Sequence, residues 1–346
     1  MYLGLYLSSD SVSWGTFYHG RFCVHTYDMP ETELHDADGV FRALAFLEGR
    51  MLPDIPEEVS YCVVTMPYMS LRDRVHVERA LRRLRLFAAC RFRCISGVSA
   101  SAMGLVDRRW TTPEREQDYS LLLFSSGREH EAAFVEIGDG VAEMIAVQQW
   151  EDGEDRELDQ ETLRENIGRL IDHSGARRFY RMYVSESISP ELRACLRSFY
   201  GVPCETMEKN IPVYGAALTA AVSCHSSNTK DLLLLDCTDY QVRVGTETLM
   251  NRSVTIPCES RIRITYNAAR PDKCVDLYFF RNAKLESPLY IKPPIHELIR
   301  EERGNIPLMV TVRADHEGRL SLEVVREMDG RGLVFEWPDL RDMLMD

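Results

Sequence analysis

The chain has 346 residues, of which 45% are hydrophobic, and it carries a net charge of −13 from 41 basic and 54 acidic side chains. This length allows two domains with sizeable cores, and the acidity argues against general binding to nucleic acid or acidic membranes. No apolar run approaches the length of a transmembrane helix, and the first residues lack the basic and apolar regions of a signal peptide. We therefore expect a cytoplasmic protein.

The first hundred residues alternate between strand-like and helix-like patterns. The predicted elements are strands at 2–7, 12–18 and 21–27, a helix at 36–52, a strand at 59–66, a helix at 71–87, a strand at 94–95 and a helix at 99–106. The turn after the first strand carries small hydroxyl side chains, which could receive a phosphate. The many arginines between Arg72 and Arg93 are interpreted as a solvated helix face rather than a nucleic-acid site.

A second region, after a polar linker at 107–118, repeats this arrangement. It contains predicted strands at 119–124, 132–137 and 141–147, a helix at 161–173, a strand at 179–184 and helices at 190–200 and 213–224. Two or three strands with a polar turn after the first, followed by a strand–helix unit, thus occur twice. The two copies lie near 2–106 and 119–222.

Four consecutive leucines between Asp231 and Asp236 mark a change in the character of the sequence. The run is short enough for a buried strand, and its position also indicates a domain junction. The chain beyond it has short strand-like runs separated by turn residues, which is typical of a β-sandwich. These runs lie at 240–244, 253–256, 261–266, 274–280, 308–313 and 320–325.

Residue types that carry chemistry are scattered. The ten cysteines form no CxxC pair, so we expect reduced, packed thiols and no zinc site. The acidic stretch containing Asp152, Glu154 and Asp155 lacks the alternating ligands of a calcium loop. His19, His76 and His130 are expected at the surface or in turns, and no Ser/His/Asp set or pair of acids with supporting context is found. The sequence thus predicts neither a catalytic residue nor a metal.

Several motifs in the correct order resemble the seventy-kilodalton heat-shock chaperone family, the DnaK-type proteins, over nearly the whole chain. IPVYGAA at 211–217 is similar to the family's AVAYGAA helix, and KDLLLLDCT at 230–238 is similar to its interdomain linker and first sandwich strand. Weaker matches follow the family order at 4–20, 63–67, 137–141, 255–257, 264–266 and 306–322.

The resemblance implies an α/β actin-like (ribonuclease-H-like) two-lobed domain followed by an all-β sandwich. The expected boundaries are a degenerate ATPase-like domain at 1–227, with lobes at about 1–110 and 118–227, a linker with the first sandwich strand at 228–238, a peptide-binding-like sandwich at 239–334 and a tail at 335–346. In the family, two glycine-bearing hairpins hold the phosphates, and aspartates, a threonine and a lysine serve magnesium and the γ-phosphate.

This sequence departs from the family at nearly all of those positions. Tyr6 and Phe124 stand where the two hairpins have aspartates, Gly97 replaces an acid, and Glu129 places an anion where a phosphate-binding threonine belongs. The adenosine loop has lost its glycines in 185–190. The degenerate phosphate-loop positions are Ser8, Ser9, Asp10, Ser126 and Gly127.

Two stretches are also too short for the family's upper lobes, between residues 27 and 59 and between 147 and 179. The first of these lobes carries the catalytic lysine and the second closes over adenine. Losing several charge-stabilising groups at once is incompatible with efficient phosphoryl transfer. We therefore expect a pseudo-ATPase without a cofactor, and ATP with magnesium enters only under the alternative that nucleotide binding persists.

The sandwich is shortened as well, with a trimmed groove loop and no room for a helical lid. The resemblance implies binding of an extended peptide or protein partner without ATP hydrolysis, and the partner-binding candidates are Tyr240, Val242, Val244, Met250, Ile262 and Ile264. The alternatives are a residual ATP-binding chaperone and a regulator that docks on a true chaperone or its clients. The tail at 335–338 is a candidate self-ligand of the groove. In this interpretation the linker, Asp231, Leu232, Leu233, Leu234, Leu235 and Asp236, is a permanent joint.

Overall fold

The computed structural model describes residues 1–18, 21–55, 59–109, 118–126, 128–152, 158–175, 178–224, 232–270, 272–280, 289–300 and 304–344. The chain forms two compact units, Met1–Asp236 and Cys237–Asp346. The boundary falls inside the predicted linker. None of the helices in the described ranges has the length and apolar character needed to cross a membrane.

The first sheet of unit 1 contains three antiparallel strands followed by two parallel ones, in the order β3-β2-β1-β4-β5. Its strands are β1 (Tyr2–Leu7), β2 (Ser11–Tyr18), β3 (Arg21–Asp28), β4 (Tyr61–Met66) and β5 (Arg91–Ser96), and the helices of this half are α1 (Ala37–Met51), α2 (Leu71–Leu81) and α3 (Gly97–Arg109). The sheet and α1 share a core in which Leu3, Leu5, Leu44 and Leu47 have no exposed surface. The alternating and helical apolar patterns therefore point to one common interior.

Helix ends follow local capping chemistry. The Asp36 carboxylate accepts a hydrogen bond from the Gly39 amide at the start of α1, and Ser70 and Asp73 form a reciprocal capping box at the start of α2. The prediction that α2 continues to Phe87 is wrong. The helix ends at Leu81, because the chain turns and the Arg82 guanidinium donates to the carbonyls of Ala88 and Cys90.

The second sheet of unit 1 repeats the first with one strand added. Its order is β10-β9-β6-β7-β8-β11, so β8-β7-β6-β9-β10 corresponds to β3-β2-β1-β4-β5, and the predicted internal repeat is confirmed. The strands are β6 (Asp118–Ser126), β7 (Glu129–Gly138), β8 (Val141–Glu151), β9 (Arg181–Val184), β10 (Cys204–Thr206) and β11 (Leu233–Leu235), with helices α4 (Gln160–His173), α5 (Pro190–Tyr200) and α6 (Ile211–Ser223).

Glycines allow the small-residue helices α3 and α6 to approach each other and the first sheet. A methyl group on Gly215 would lie 1.7 Å from the Ala100 carbonyl oxygen, and one on Gly4 would lie 2.2 Å from the Ala217 amide nitrogen. Backbone therefore packs directly on backbone where these elements cross. This contact joins the two halves of unit 1, because α3 also contacts β6, β7 and β8.

Unit 2 contains two four-stranded antiparallel sheets, β13-β12-β15-β16 and β14-β17-β18-β19. The elements are β12 (Gln241–Val244), β13 (Glu247–Met250), β14 (Cys258–Asn267), β15 (Leu277–Phe280), β16 (Leu289–Ile291), β17 (Asn305–Ala314), β18 (Leu320–Arg326), β19 (Gly332–Phe335) and α7 (Trp337–Asp342). Burial alternates along β17 and β18, so one face of that sheet is in the interior.

Unit 2 differs from the sequence prediction in several places, among them the strand at 253–256 and the tail. The strand expected at 253–256 is reduced to a single bridge between Cys237 and Thr255. The tail forms β19 and α7, and Trp337 and Leu340 are buried. Glu336, Trp337 and Pro338 line a cleft of about 670 Å³ together with residues from β14, β17 and β18. The tail thus packs on the second sheet as part of the fold.

Candidate functional site

The turn after β1 and the turn after β6 meet at one cleft of unit 1. Ser9, from the turn after β1, and Ser126, from the end of β6, both line this cleft, whose volume is about 710 Å³. Tyr68 and His35 also line it. The sequence therefore identified residues that the fold brings together, although they are more than a hundred positions apart.

The first hairpin is held by its own hydroxyl groups. Ser8 is buried, and its hydroxyl lies 2.8 Å from Asp10 Oδ1 and 2.7 Å from the Ser11 hydroxyl. The hydrogen bond from Ser8 lowers the pKa of Asp10. Ser8 is consequently turned into the hairpin, whereas Ser9 is exposed. Gly127, the remaining predicted position, lies outside the described residues.

Aromatic side chains stand at positions 6 and 124, where the resemblance drawn from the sequence would place aspartates. Burial, together with the nearby carboxylate of Asp10, raises the pKa of the Tyr6 phenol, and Phe124 is also buried. At Gly97 a methyl group would lie 3.1 Å from the Met66 carbonyl oxygen, so an acidic side chain has little room there. These three sites offer no carboxylate to a magnesium ion.

A histidine bridge that the sequence did not indicate connects the two halves of unit 1 within the cleft. His35 Nδ1 lies 3.0 Å from Asp73 Oδ1 on α2, and His35 Nε2 lies 2.5 Å from Glu129 Oε2 on β7. Burial alone would lower the pKa of His35, but the hydrogen bonds to Asp73 and Glu129 outweigh it and raise the pKa to about 10. The imidazole is therefore a cation between two carboxylates at neutral pH.

Negative charge predominates in the cleft. Four glutamates line it, whereas the cationic side chains among its described lining residues are Arg128 and His35; the glutamates are Glu31, Glu33, Glu129 and Glu151. The Arg128 guanidinium donates to the Asp152 carbonyl at 3.1 Å, and His35 is engaged by its two carboxylates. A polyphosphate entering this cleft would therefore meet more carboxylates than cationic groups.

His130 is buried, so the expectation of a surface or turn position is wrong. Its Nδ1 lies 2.9 Å from the Ser125 hydroxyl and its Nε2 lies 2.7 Å from Asp152 Oδ2. The structure thus assembles a Ser/His/Asp set that sequence spacing did not reveal. Burial lowers the pKa of His130. The Ser125 amide donates to Ser185 and its carbonyl accepts from Ser187, so this network fastens the hairpin to the loop after β9.

Of the other two histidines expected at the surface or in turns, one lies among the described residues. His76 is half-buried on α2, and burial lowers its pKa. His19 lies outside the described residues, as do Glu154 and Asp155 of the acidic stretch. No group of three His, Cys, Asp or Glu side chains in the described ranges is placed to hold a metal ion.

The leucine run is a strand of unit 1 rather than the first strand of the sandwich. Leu233–Leu235 pairs in parallel with residues 141–143 of β8, and Leu234 is buried while Leu233 is exposed. The buried Asp236 that follows accepts a hydrogen bond from the Ser99 hydroxyl at 2.9 Å and lies 3.5 Å from the Arg93 guanidinium. The run is therefore fastened to both halves of unit 1. Leu232 is half-buried, and Asp231 lies outside the described residues.

The partner-binding candidates divide into two groups. The side chains of four are buried in unit 2, namely Tyr240, Val242, Val244 and Met250. Ile262 and Ile264 are half-buried and share one face of β14. The four buried side chains fill the interior of the unit and are closed to a ligand. Ile262 and Ile264 keep part of their surface exposed, and a ligand could reach them.

The sequence matches no protein-family model, and no curated protein matches it significantly.

Proposed function

We propose that this protein is a chaperone-like binding protein in which a pseudo-ATPase unit accompanies a β-sandwich that holds an extended peptide or protein partner. It uses no nucleotide and is not an enzyme. The observation that carries the proposal is the His35 bridge together with the glutamates around it. These glutamates place negative charge in the cleft where the two proposed phosphate hairpins meet.

The strand orders are consistent with the fold that we propose. A sheet of three antiparallel and two parallel strands, present twice in one unit, is the arrangement expected of an actin-like, two-lobed domain. Two four-stranded antiparallel sheets in the following unit fit a β-sandwich. The helix that carries the IPVYGAA motif begins at Ile211 and packs against β1.

The permanent joint is supported by the contacts of the linker strand. Its β-pairing is internal to unit 1, and Asp236 is buried between Ser99 and Arg93. Withdrawing the strand would leave a buried serine and arginine without this carboxylate, which is costly in a low-dielectric interior. We propose that the strand stays in place whether or not nucleotide is present.

Calorimetric titration of the full chain with ATP and magnesium is expected to show no binding tighter than about 10 μM, which corresponds to roughly −7 kcal/mol. Hydrogen exchange of 232–236 should be unchanged by ATP, because the strand has one arrangement. Binding tighter than this, or a change in exchange at these residues on adding ATP, would favour a residual ATP-binding chaperone instead.

Partner binding is proposed at the apolar face of β14. A screen of extended apolar peptides against the full chain should yield ligands whose affinity falls about tenfold in Ile264→Ala. Burying roughly half of an isoleucine side chain against the peptide contributes about 1.4 kcal/mol to the binding free energy. Thr265→Ala, on the opposite and exposed face of the same strand, is the matched control. If no peptide is captured, the peptide-holding role fails and a regulator that docks on a chaperone becomes the better explanation.

A further inference from the structure

Helix α2 and the turn that follows it expose positive charge on an otherwise acidic protein. The two acids between residues 71 and 91, Asp73 and Glu78, are buried. The exposed charged side chains of this stretch are all arginines, namely Arg72, Arg79, Arg82, Arg83, Arg85 and Arg91. The whole chain carries a net charge of −13, so this surface is opposite in sign to the protein that bears it.

The turn that carries Arg82, Arg83 and Arg85 is fixed on both sides, and these three residues are called the arginine surface below. Its buried residues, among them Leu84 and Phe87, belong to the core of the first sheet. The amides of Arg83 and Leu84 donate to carbonyls of α2, and the Leu86 amide donates to the Glu48 carboxylate of α1 at 2.6 Å. The backbone is therefore ordered before a ligand arrives, which lowers the entropic cost of binding.

Two of the three guanidinium groups are also held in place, by neutral partners. The Arg82 guanidinium donates to the carbonyls of Ala88 and Cys90, both at 3.0 Å. The Arg83 guanidinium lies 3.9 Å from the centre of the Phe41 ring. Carbonyl oxygens and aromatic rings orient these cations without neutralising them. Within the described part of the chain, Arg82, Arg83 and Arg85 form no ion pair.

We propose that the arginine surface binds an acidic segment of a partner protein, in which several aspartates or glutamates follow one another closely. Each carboxylate can accept two parallel hydrogen bonds from a guanidinium group, which gives such pairs both strength and direction. A surface of this sign on a chain of net charge −13 complements a short anionic segment. The surface belongs to unit 1 and is separate from the apolar face of β14.

A nucleic acid fits this surface less well than an acidic peptide. The rings beside it, Phe41 and Phe92, lie under the guanidinium groups of Arg83 and Arg82, and Phe92 is buried. They support the arginines, so they are not available as platforms for stacked bases. A duplex also continues its phosphates past a patch of a few charges, and an acidic protein repels them there.

Fluorescence anisotropy of the full chain with a labelled decaglutamate peptide tests the proposal. At about 10 mM sodium chloride, where the Debye length is about 30 Å, we expect saturable binding of decaglutamate and none of decaglutamine. The double variant Arg83→Gln/Arg85→Gln should bind about tenfold more weakly, because two charge-assisted contacts are lost. Its melting temperature should stay close to that of the wild type, since both side chains are exposed.

The matched control changes the net charge by the same amount elsewhere in unit 1. Arg169 and Arg181 are partly exposed and form ion pairs with Glu165 and Glu205. The double variant Arg169→Gln/Arg181→Gln should keep the wild-type affinity for decaglutamate within about twofold. Ile264→Ala should also leave it unchanged, so a failure of this proposal is distinguishable from a failure of peptide binding at β14.

Three results would overturn the assignment of an acidic protein segment. The first is that the wild type does not bind decaglutamate, or that both double variants lose affinity equally. The second is tighter binding of a duplex DNA of about a dozen base pairs, which would assign the surface to nucleic acid. The third is a wild-type dimer in sedimentation velocity that Arg83→Gln/Arg85→Gln dissociates, which would make a second copy of the chain the occupant.

Discussion

Gly215→Ala is expected to destabilise unit 1 by about 3 kcal/mol or more in urea unfolding of the full chain. The added methyl group would lie 1.7 Å from the Ala100 carbonyl oxygen and 2.9 Å from the Gly104 amide nitrogen. Both are backbone atoms, which cannot rotate away as a side chain would. Helices α3 and α6 must then separate, and overpacking of this kind commonly costs about 1–3 kcal/mol, and more when the backbone has to move.

Gly168→Ala is the matched control for that substitution. Gly168 also lies inside a helix, α4, but a methyl group there would meet nothing within 4 Å. Alanine should stabilise this helix by about 0.5–1 kcal/mol, because glycine loses more backbone entropy on folding. If both variants change the free energy of unfolding by the same amount, direct packing of backbone on backbone at Gly215 is not what holds α3 against α6.

His35→Gln is expected to lower the free energy of unfolding by about 2 kcal/mol at pH 7. The full difference between an ordinary histidine pKa near 6.5 and the folded value of about 10 would correspond to a larger stabilisation. The side chain is 32% exposed, however, and solvent screens part of the interaction. The folded protein holds the His35 proton more tightly than the unfolded chain. This contribution is therefore complete below about pH 6.5 and is lost as the pH rises towards 10.

The pH dependence distinguishes the bridge from simple packing. Wild-type stability should fall between pH 7 and pH 10 more steeply than that of His35→Gln, and the two curves should converge at the alkaline end. Glu129→Gln should also flatten the wild-type slope, since it removes one of the two charges that hold the imidazolium. His173→Gln, at an exposed residue in the last turn of α4, is the control and should keep the wild-type slope. Parallel curves for wild type and His35→Gln would show that His35 is not held as a cation.

Local patterns were sufficient for most of the secondary structure and for the repeat in unit 1. Alternating apolar residues marked the strands, and capping residues such as Asp36 and Ser70 fixed where helices begin. These signals act within a few residues, so they are visible in the sequence. The end of α2 was missed because it depends on an arginine that bonds to carbonyls in the following turn.

The amino-acid sequence by itself determined the alternation of strands and helices and the change to an all-strand pattern after the leucine run. The tertiary structure alone decided that His35 joins Asp73 to Glu129, that His130 lies between Ser125 and Asp152, and that Asp236 reaches Ser99, 137 positions away. It also decided that the leucines extend a sheet of unit 1. Hydrogen bonds and ion pairs between distant residues leave no periodic trace in a sequence, because they depend on how whole elements pack rather than on neighbouring positions.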